Sequence, residues 1–410
     1  MILTKRSAWA IVGVIILSLI AWNLDVTNAY LVVSVSIALV IITLFHFIYS
    51  IGNFTVDRQI IKTAYEDDVL EVEVSLKNLT NRTKKFFQLR DLFPTGPPGE
   101  KIISLLVGRI MPRESAVFKY FSLCYKRGLY KVGPIEIIFQ DFLGFFRLVK
   151  KLKVISSLLV YPKVFKIKCF PELVSGSREW FGLETTRTSG ESLEFYGIRE
   201  YQVQDGLRRI HWRSTARLGS LTVKQYEKSG MSEATIVLNL KKSHNIGFEK
   251  DTTLEYTVKI AASISRFLLL EQQNLVQLIG YGKDFVILPF NKGDSGYYSI
   301  LEYLAQVEAD GEQDMADVLA EISYLTNQNS TLITFLLDKD EAAFDVLAQF
   351  KAKGVELILF VFDSDSFFET ENKEHTKPYL FPELMSLGAK VYTIAKGDNL
   401  QAKFEVPIEG

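Results

Sequence analysis

ATIVLNL, residues 234–240, is an apolar run broken only by Thr235 and Asn239. A run of this kind marks a strand covered on both faces, as in the middle of a parallel sheet. Downstream, LEYTVKIAASISRFLLLEQQ (254–273) sets Leu254, Val258, Ala261, Ile264 and Leu268 on one helical stripe. Further strands are predicted at 275–280, 285–290, 331–337, 355–362 and 389–394, with helices at 297–308, 315–326, 340–352 and 380–387. Alternation of this sort predicts a doubly wound, mostly parallel α/β domain over 233–410. Such sheets bind ligands beyond the carboxyl ends of their strands, so the loops after Asn239 and Leu337 are where chemistry is sought.

Upstream the period changes to two. VLEVEVSLKN (69–78) alternates apolar and polar residues like a half-buried strand, and ESAVFKYFSLCYK (114–126) and YKVGPIEIIF (130–139) read as further strands. GPPG at 96–99 excludes a helix there. The region 54–165 is therefore expected to be a β-sandwich of about 100 residues, the immunoglobulin-like size. The aromatic DFLGFFRL (141–148) is read as a sandwich edge or seam rather than a cofactor pocket.

Before it come two uncharged runs, Ala8–Trp22 and Ala29–Ser50, of 15 and 22 residues. A bilayer core asks for about 20 apolar residues, so residues 1–53 are expected to form a transmembrane hairpin, the first helix borrowing its flanks. Lys5, Arg6, Arg58 and Lys62 flank the outer ends, while the connecting turn carries only Asp25. By the positive-inside rule both ends, and the soluble regions with them, face the cytoplasm. His46 is expected at the membrane interface.

The remaining composition removes whole classes of function. A net charge of −1 supplies no global field toward nucleic acid. Cys124 and Cys169 form no CxxC pair, and His46, His211, His244 and His375 no HExxH. There is no Walker motif, and Ser189–Gly190–Glu191–Ser192 is not the hydrolase elbow GxSxG. Glu191 and Glu194 could be paired carboxylates, but no aromatic sugar platform accompanies them. No catalytic residue and no cofactor is expected.

EFYGIREYQVQDGLRRIHWRSTAR (194–217), with KRGLYKVGPIEIIFQDFLGFFRL (126–148) and VYPKV (160–164), resembles the bacterial domain-of-unknown-function 58 family. The matching signature positions are Glu194, Phe195, Arg199, Glu200, Tyr201, Asp205, Arg208, Ile210, Trp212, Ala216 and Arg217. Gln204 stands where the family has glycine, and His211 where it has an acid. The resemblance implies a membrane hairpin, a β domain and a von Willebrand factor A-like domain, in a bacterial inner-membrane protein. It also implies a MoxR-type AAA+ ATPase as partner, and a transglutaminase-like membrane protein as another.

Von Willebrand A domains hold a divalent ion with DxSxS, a threonine and a late aspartate, a shell of hard oxygen donors. Here the first loop offers Asn239, Lys241 and Ser243, no threonine lies between Thr257 and Thr326, and Asp338 alone stands where the late aspartate belongs. No working metal site is expected from these degenerate positions. Lys241 could instead reach Asp338 and replace the cation, or both side chains could simply be solvated. DSDS at 363–366 follows a late strand and reads as a polar loop and helix cap.

Residues 166–232 form a signature segment of their own. The window 178–228 holds nine lysines and arginines against seven acids, too balanced for a nucleic-acid groove. It reads as a frame of ion pairs, with Glu194, Glu200 and Asp205 facing Arg199, Arg208, Arg213 and Arg217, and with Trp212 and Tyr201 covering them. A partner-docking surface is the competing reading. The function expected is a noncatalytic scaffold or adaptor at the inner face of a bacterial membrane. The alternative is a divalent-metal-dependent receptor using Ser243 and Asp338.

Overall fold

A computed structural model of the chain describes residues 2–3, 5–24, 27–173, 195–201, 210–226, 232–368 and 380–406. It divides into two compact units, 1–163 and 164–410. The described part of the signature segment belongs to the second unit.

The first unit begins with a short strand β1 (Ile2–Leu3), then helices α1 (Lys5–Leu24) and α2 (Thr27–Ser50). Lys5–Asn23 and Asn28–Ser50 are each long and apolar enough to cross a membrane, and hardly any of either is buried within the protein. Antiparallel strands follow: β2 (Phe54–Gln59), β3 (Thr63–Tyr65), β4 (Val69–Asn78), β5 (Lys84–Leu92), β6 (Ile102–Ile110), β7 (Ser115–Leu123), β8 (Gly128–Val132), β9 (Ile135–Gln140), β10 (Phe146–Leu152) and β11 (Ser156–Tyr161). They make sheets β1-β10-β9-β5-β6, β2-β4-β7 and β3-β11-β8, with β3 and β11 the parallel exception.

The sheets pack their inward faces on one core. Leu70, Val72, Val74 and Leu76 of β4 alternate inward as the period-two pattern requires. They meet Phe87 and Leu89 of β5, Ile137 and Phe139 of β9, and Leu158 and Val160 of β11. Phe47 of α2 joins the same core, stacked on Phe146. YKVGPIEIIF is not one strand. It breaks at Gly133–Pro134 into β8 and β9, which join different sheets, because Pro134 has no N–H to continue a ladder. Gly133 has φ 107, and a Cβ there would lie 2.2 Å from the Val154 carbonyl, so only glycine fits this corner.

In the second unit, β12 (Phe195–Glu200) and β13 (Thr222–Tyr226) form a ribbon flanking α3 (Trp212–Leu218). The main sheet runs β18-β17-β14-β19-β20-β21. Its members are β14 (Glu233–Asn239), β17 (Leu275–Tyr281), β18 (Phe285–Asn291), β19 (Thr331–Leu337), β20 (Glu356–Phe362) and β21 (Lys390–Ile394), all parallel except the edge strand β18. A small ribbon, β15 (Gly247–Phe248) and β16 (Asp251–Thr252), precedes α4 (Thr253–Arg266). Further helices are α5 (Gly293–Gln306), α6 (Met315–Ile322), α7 (Ala343–Ala352), α8 (Leu380–Ser386) and α9 (Leu400–Lys403).

β19 is buried along its whole length and β14 at all but its two end residues, as the continuous apolar runs predict. Met315, Leu319 and Ile322 of α6 and Leu347 and Phe350 of α7 pack over Leu332, Leu336, Leu357 and Leu359. The register aligns Phe335, Phe360 and Tyr392 on adjacent strands, and Phe404 caps the row. Consecutive rings lie 5.2, 4.9 and 5.0 Å apart between centroids. The segment after Val164 lies along this row: Cys169 N–H donates to the Phe404 carbonyl at 2.8 Å, and Phe165 and Phe170 contact the Phe404 ring.

Candidate functional site

The carboxyl ends of β14, β19 and β20 bring together the loops that carry Lys241, Ser243, Asp338 and Asp363. β14 does not stop at Asn239. Its continuation bridges to Gly311, with Gly311 N–H donating to Leu240 O at 2.9 Å and Lys242 N–H to Gly311 O at 2.8 Å. A Cβ on Gly311 would sit 3.1 Å from three backbone atoms, so this close approach suits glycine. The bridge carries Asp314 to Lys241. The Lys241 ammonium is ion-paired to Asp314, so it neither meets Asp338 nor stands solvated, the two alternatives the sequence left open. The reason is chain geometry: Gly311 docks on β14 itself, whereas Asp338 is held on the other side by β20. Asp338 N–H donates to Phe362 O at 3.0 Å, and its carboxylate accepts from Ser364 N–H at 3.4 Å.

Asp314 is the N-cap of α6, yet its side chain makes no capping bond because Lys241 takes it. That ammonium is the main reason the Asp314 carboxyl is held below the usual carboxylate range, with His244 adding to the field. A depressed folded-state pKa adds stability above the unfolded value near 4 and loses it as pH falls through the folded value. Asp314 is 58% exposed, so the pair contributes only about 0.2–1 kcal/mol. Asp314→Asn is expected to melt slightly lower than the parent at neutral pH and together with it below pH ~3. Parallel melting curves across that range check this.

Beneath the pair sits a second one that the sequence did not reveal. His244 closes a short 3₁₀ turn after Lys241; its Nε2 lies 3.5 Å from Asp340, and its Nδ1 lies 2.9 Å from the Asn239 amide nitrogen. Asn239 Oδ1 accepts from Lys241 N–H at 3.3 Å. Asp340 turns its other oxygen to Leu337 N–H at 2.9 Å, and burial pushes its carboxyl up while His244 opposes the rise. His244 and Asp340 follow neighbouring parallel strands, the one signal that could have paired them.

A small crevice on the α4 side of His244, lined by Asn239, His244, Thr253, Thr257, Leu337 and Phe362, has about 10 Å³, room for one water. Ser243 is exposed on the turn. Asp363 caps its own 3₁₀ turn by accepting from Ser366 N–H at 3.3 Å, so DSDS is a cap. Among the described residues no group of three or more His, Cys, Asp or Glu side chains is placed to hold a metal. Burial pushes the Cys124 thiol up to about 11, which makes it a poor nucleophile.

Of the signature residues, Glu194, Asp205 and Arg208 lie outside the described residues, and for Phe195 and Arg199 only the strand is described. Glu200 is exposed and Tyr201 half-buried, its N–H donating to Leu221 O at 2.8 Å. Trp212, expected to cover ion pairs, is 67% exposed. It opens α3, a helix of seven residues with none buried, so its ring has no core to enter. Arg213 and Arg217 are exposed on the same helix, with Leu218 at 60% and Leu221 at 44% close by in sequence.

His211 explains one departure from the family pattern. It is the N-cap of α3, accepting from Ser214 N–H at 3.3 Å through Nδ1, the work an aspartate does at such a position. Ile210 and Thr222, both buried, fasten the helix to β13, with His211 N–H donating to Thr222 O at 2.9 Å.

A hairpin of apolar helices, an antiparallel β domain and a mostly parallel α/β sheet with its signature helix define a multidomain chain of two compact units. Residues 197–359 match the family described as "Protein of unknown function DUF58". It is similar to the "Uncharacterized protein YeaD" of Bacillus subtilis (strain 168), 23% identical over 269 residues. That match takes in 64% of this chain and 65% of the relative, so the chain spans just under two thirds of the relative's length. Among solved structures, the CARDB domain of the PF1109 protein from Pyrococcus furiosus is 18% identical over 27% of this chain and 94% of that one, with a TM-score of 0.19. A β-glucosidase from Listeria innocua is 12% identical over 27% of this chain and 16% of that one, with a TM-score of 0.17. At such scores neither likeness carries an argument.

Proposed function

We propose that the chain is a membrane-anchored scaffold that presents its α/β domain to a MoxR-type AAA+ ATPase or another assembly factor, without catalysis of its own. In this reading the hairpin spans the bacterial inner membrane and both soluble regions lie on the cytoplasmic side. The β domain, immunoglobulin-like in size, is a spacer, and the α/β domain is von Willebrand factor A-like. A transglutaminase-like membrane protein is a second candidate partner.

The observation that carries the reading is Trp212. An indole 67% exposed on a short helix, flanked by two exposed arginines, has the composition of an interface hot spot rather than of a core. The sheet end supports it from another side, since the ammonium of Lys241 is ion-paired to Asp314 in the loop after β14. Crosslinking the full-length chain in its membrane, followed by pull-down and mass spectrometry, tests the partner. The ATPase is expected among the products in at least one nucleotide state. Trp212→Ala is expected to weaken recovery by roughly 30-fold, about 2 kcal/mol, while leaving the melting temperature unchanged. Recovery of no AAA+ ATPase in any nucleotide state, or equal recovery by the variant, contradicts the assignment.

A further inference from the structure

The end of the β domain nearest the hairpin carries an unusual set of side chains. The helices and strands of the first unit fix which residues gather there. β1 pairs with β10, and Lys84 at the start of β5 donates to the carbonyls of Tyr49 at 2.7 Å and Ile51 at 2.6 Å, satisfying the open end of α2. The ladder then places the end of β4, the start of β5, the end of β6 and the end of β9 on the same rim. Asn78 ties two of its turns together, donating to Arg82 O at 2.9 Å and Met111 O at 3.0 Å.

Large apolar groups on this rim face outward. Phe142 is 73% exposed, Phe86 56%, Met111 47% and Leu79 39%. Phe142 lies 4.9 Å from the ring of His46 and 6.1 Å from Phe86. His46 is in the last turn of the candidate span Asn28–Ser50, about 6 Å short of its end at 1.5 Å per residue. An aromatic ring level with that turn is therefore level with the boundary between headgroups and acyl chains, where aromatic side chains are favoured.

The charge on the rim fits the same surroundings. Arg82, Lys85, Arg109 and Arg113 are exposed there, and Arg82 lies over the Tyr49 ring at 4.9 Å. Of the nearby acids, Asp141 is turned inward, whereas Glu114 is exposed and bonded to the backbone. Asp141 is buried and accepts from Phe146 N–H at 2.7 Å, and Glu114 accepts from Met111 N–H at 2.6 Å. The opposite end of β4 instead follows Glu66, Asp67 and Asp68. The rim nearest the hairpin is thus basic and aromatic.

We propose that this rim is a lipid-contacting surface, with Phe86 and Phe142 inserted at the acyl boundary and Arg82, Lys85, Arg109 and Arg113 set against anionic headgroups. The domain is then seated on the bilayer rather than swinging from the hairpin. The proposal rests on the membrane-spanning reading of α1 and α2, and it adds that a second, peripheral contact orients the soluble part.

The test uses the full-length chain, with Cys169→Ser, in vesicles of phosphatidylcholine and phosphatidylglycerol. Nitroxide labels are placed singly at Phe142→Cys, at Val35→Cys in mid-helix, and at Phe121→Cys. Phe121 pairs with Glu71, seven residues along β4 from Asn78, about 24 Å from the rim at ~3.4 Å per residue. Collisions with oxygen report lipid, and collisions with a water-soluble nickel chelate report water. Labels at 35 and 142 are expected to favour oxygen, and the label at 121 nickel. Reversing Lys85 and Arg113 to glutamate is expected to raise nickel collisions at 142 several-fold. A label at 142 as open to nickel as the one at 121, with 35 still in lipid, overturns the rim contact and leaves the anchor standing. Nickel access at 35 overturns both. An unchanged depth at 142 after charge reversal overturns the anionic-headgroup contact.

Discussion

Replacing Asp91 with alanine is expected to cost the β domain about 3–5 kcal/mol, because it strands a buried guanidinium. Arg58 of β2 grips Asp91 of β5 with two parallel bonds of 2.5 and 2.9 Å, and the two side chains are 0% and 2% exposed. Tyr120 of β7 donates its hydroxyl to the same carboxylate at 2.6 Å, and Arg58 also donates to Val132 O, at the end of β8, at 2.9 Å. One polar cluster therefore joins strands of all three sheets. Burial pushes the Asp91 carboxyl up, opposed by the Tyr120 hydroxyl and the Arg58 guanidinium. The alanine variant leaves Arg58 with no counter-charge there. The double variant Arg58→Met, Asp91→Leu removes both charges and is expected to recover much of the loss, since a well-packed apolar pair can equal a buried ion pair. Chemical denaturation of the detergent-solubilised chain measures both. An Asp91→Ala loss below about 1 kcal/mol would show that the cluster adds little.

Phe360→Ala is expected to cost a similar amount, about 3–5 kcal/mol, in the second unit. Phe360 is fully buried between Phe335 and Tyr392 in the ring row, so its removal leaves a cavity and breaks two stacked contacts. Its loss also weakens the seat of Phe404, against which the strap from Val164 to Phe170 lies. Phe360→Leu keeps most of the volume and is expected to cost under about 1.5 kcal/mol. Urea unfolding followed by fluorescence separates the two variants. Equal losses would mean that the stacked geometry, and not filled volume, sets the stability.

Much of this architecture was legible in the sequence because it rests on local periodicity. ATIVLNL read as a doubly covered strand, TLITFLL as a strand and VLEVEVSLKN as a half-buried one, because the residue pattern along each run reports its burial. The features that escaped depend on contacts distant in sequence. The pairing of Ile2–Leu3 with Phe146–Arg147 joins residues too few to show a pattern. The break at Gly133–Pro134 was visible as a dipeptide, but the exchange between sheets it produces was not.

The candidate site divides the same way. That Asn239 and Lys241 supply no carboxylate to the loop after β14 is a matter of residue identity and is read directly from the sequence. Which acid Lys241 meets depends on Gly311 docking beside β14, far along the chain, so Asp314 was not visible as its partner in the sequence. Trp212 was assigned to cover a charge network on composition alone. Its exposure follows from the shortness of α3, which offers no buried face.

A calorimetric titration of the full-length chain with Mg²⁺, Mn²⁺ and Ca²⁺ tests most directly whether the α/β domain recognises a partner through its protein surface without a bridging ion. The account predicts no saturable binding up to millimolar concentrations, with Lys241 and Asp314 occupying one another. Stoichiometric binding of any of these ions, abolished by Asp338→Ala, would contradict it.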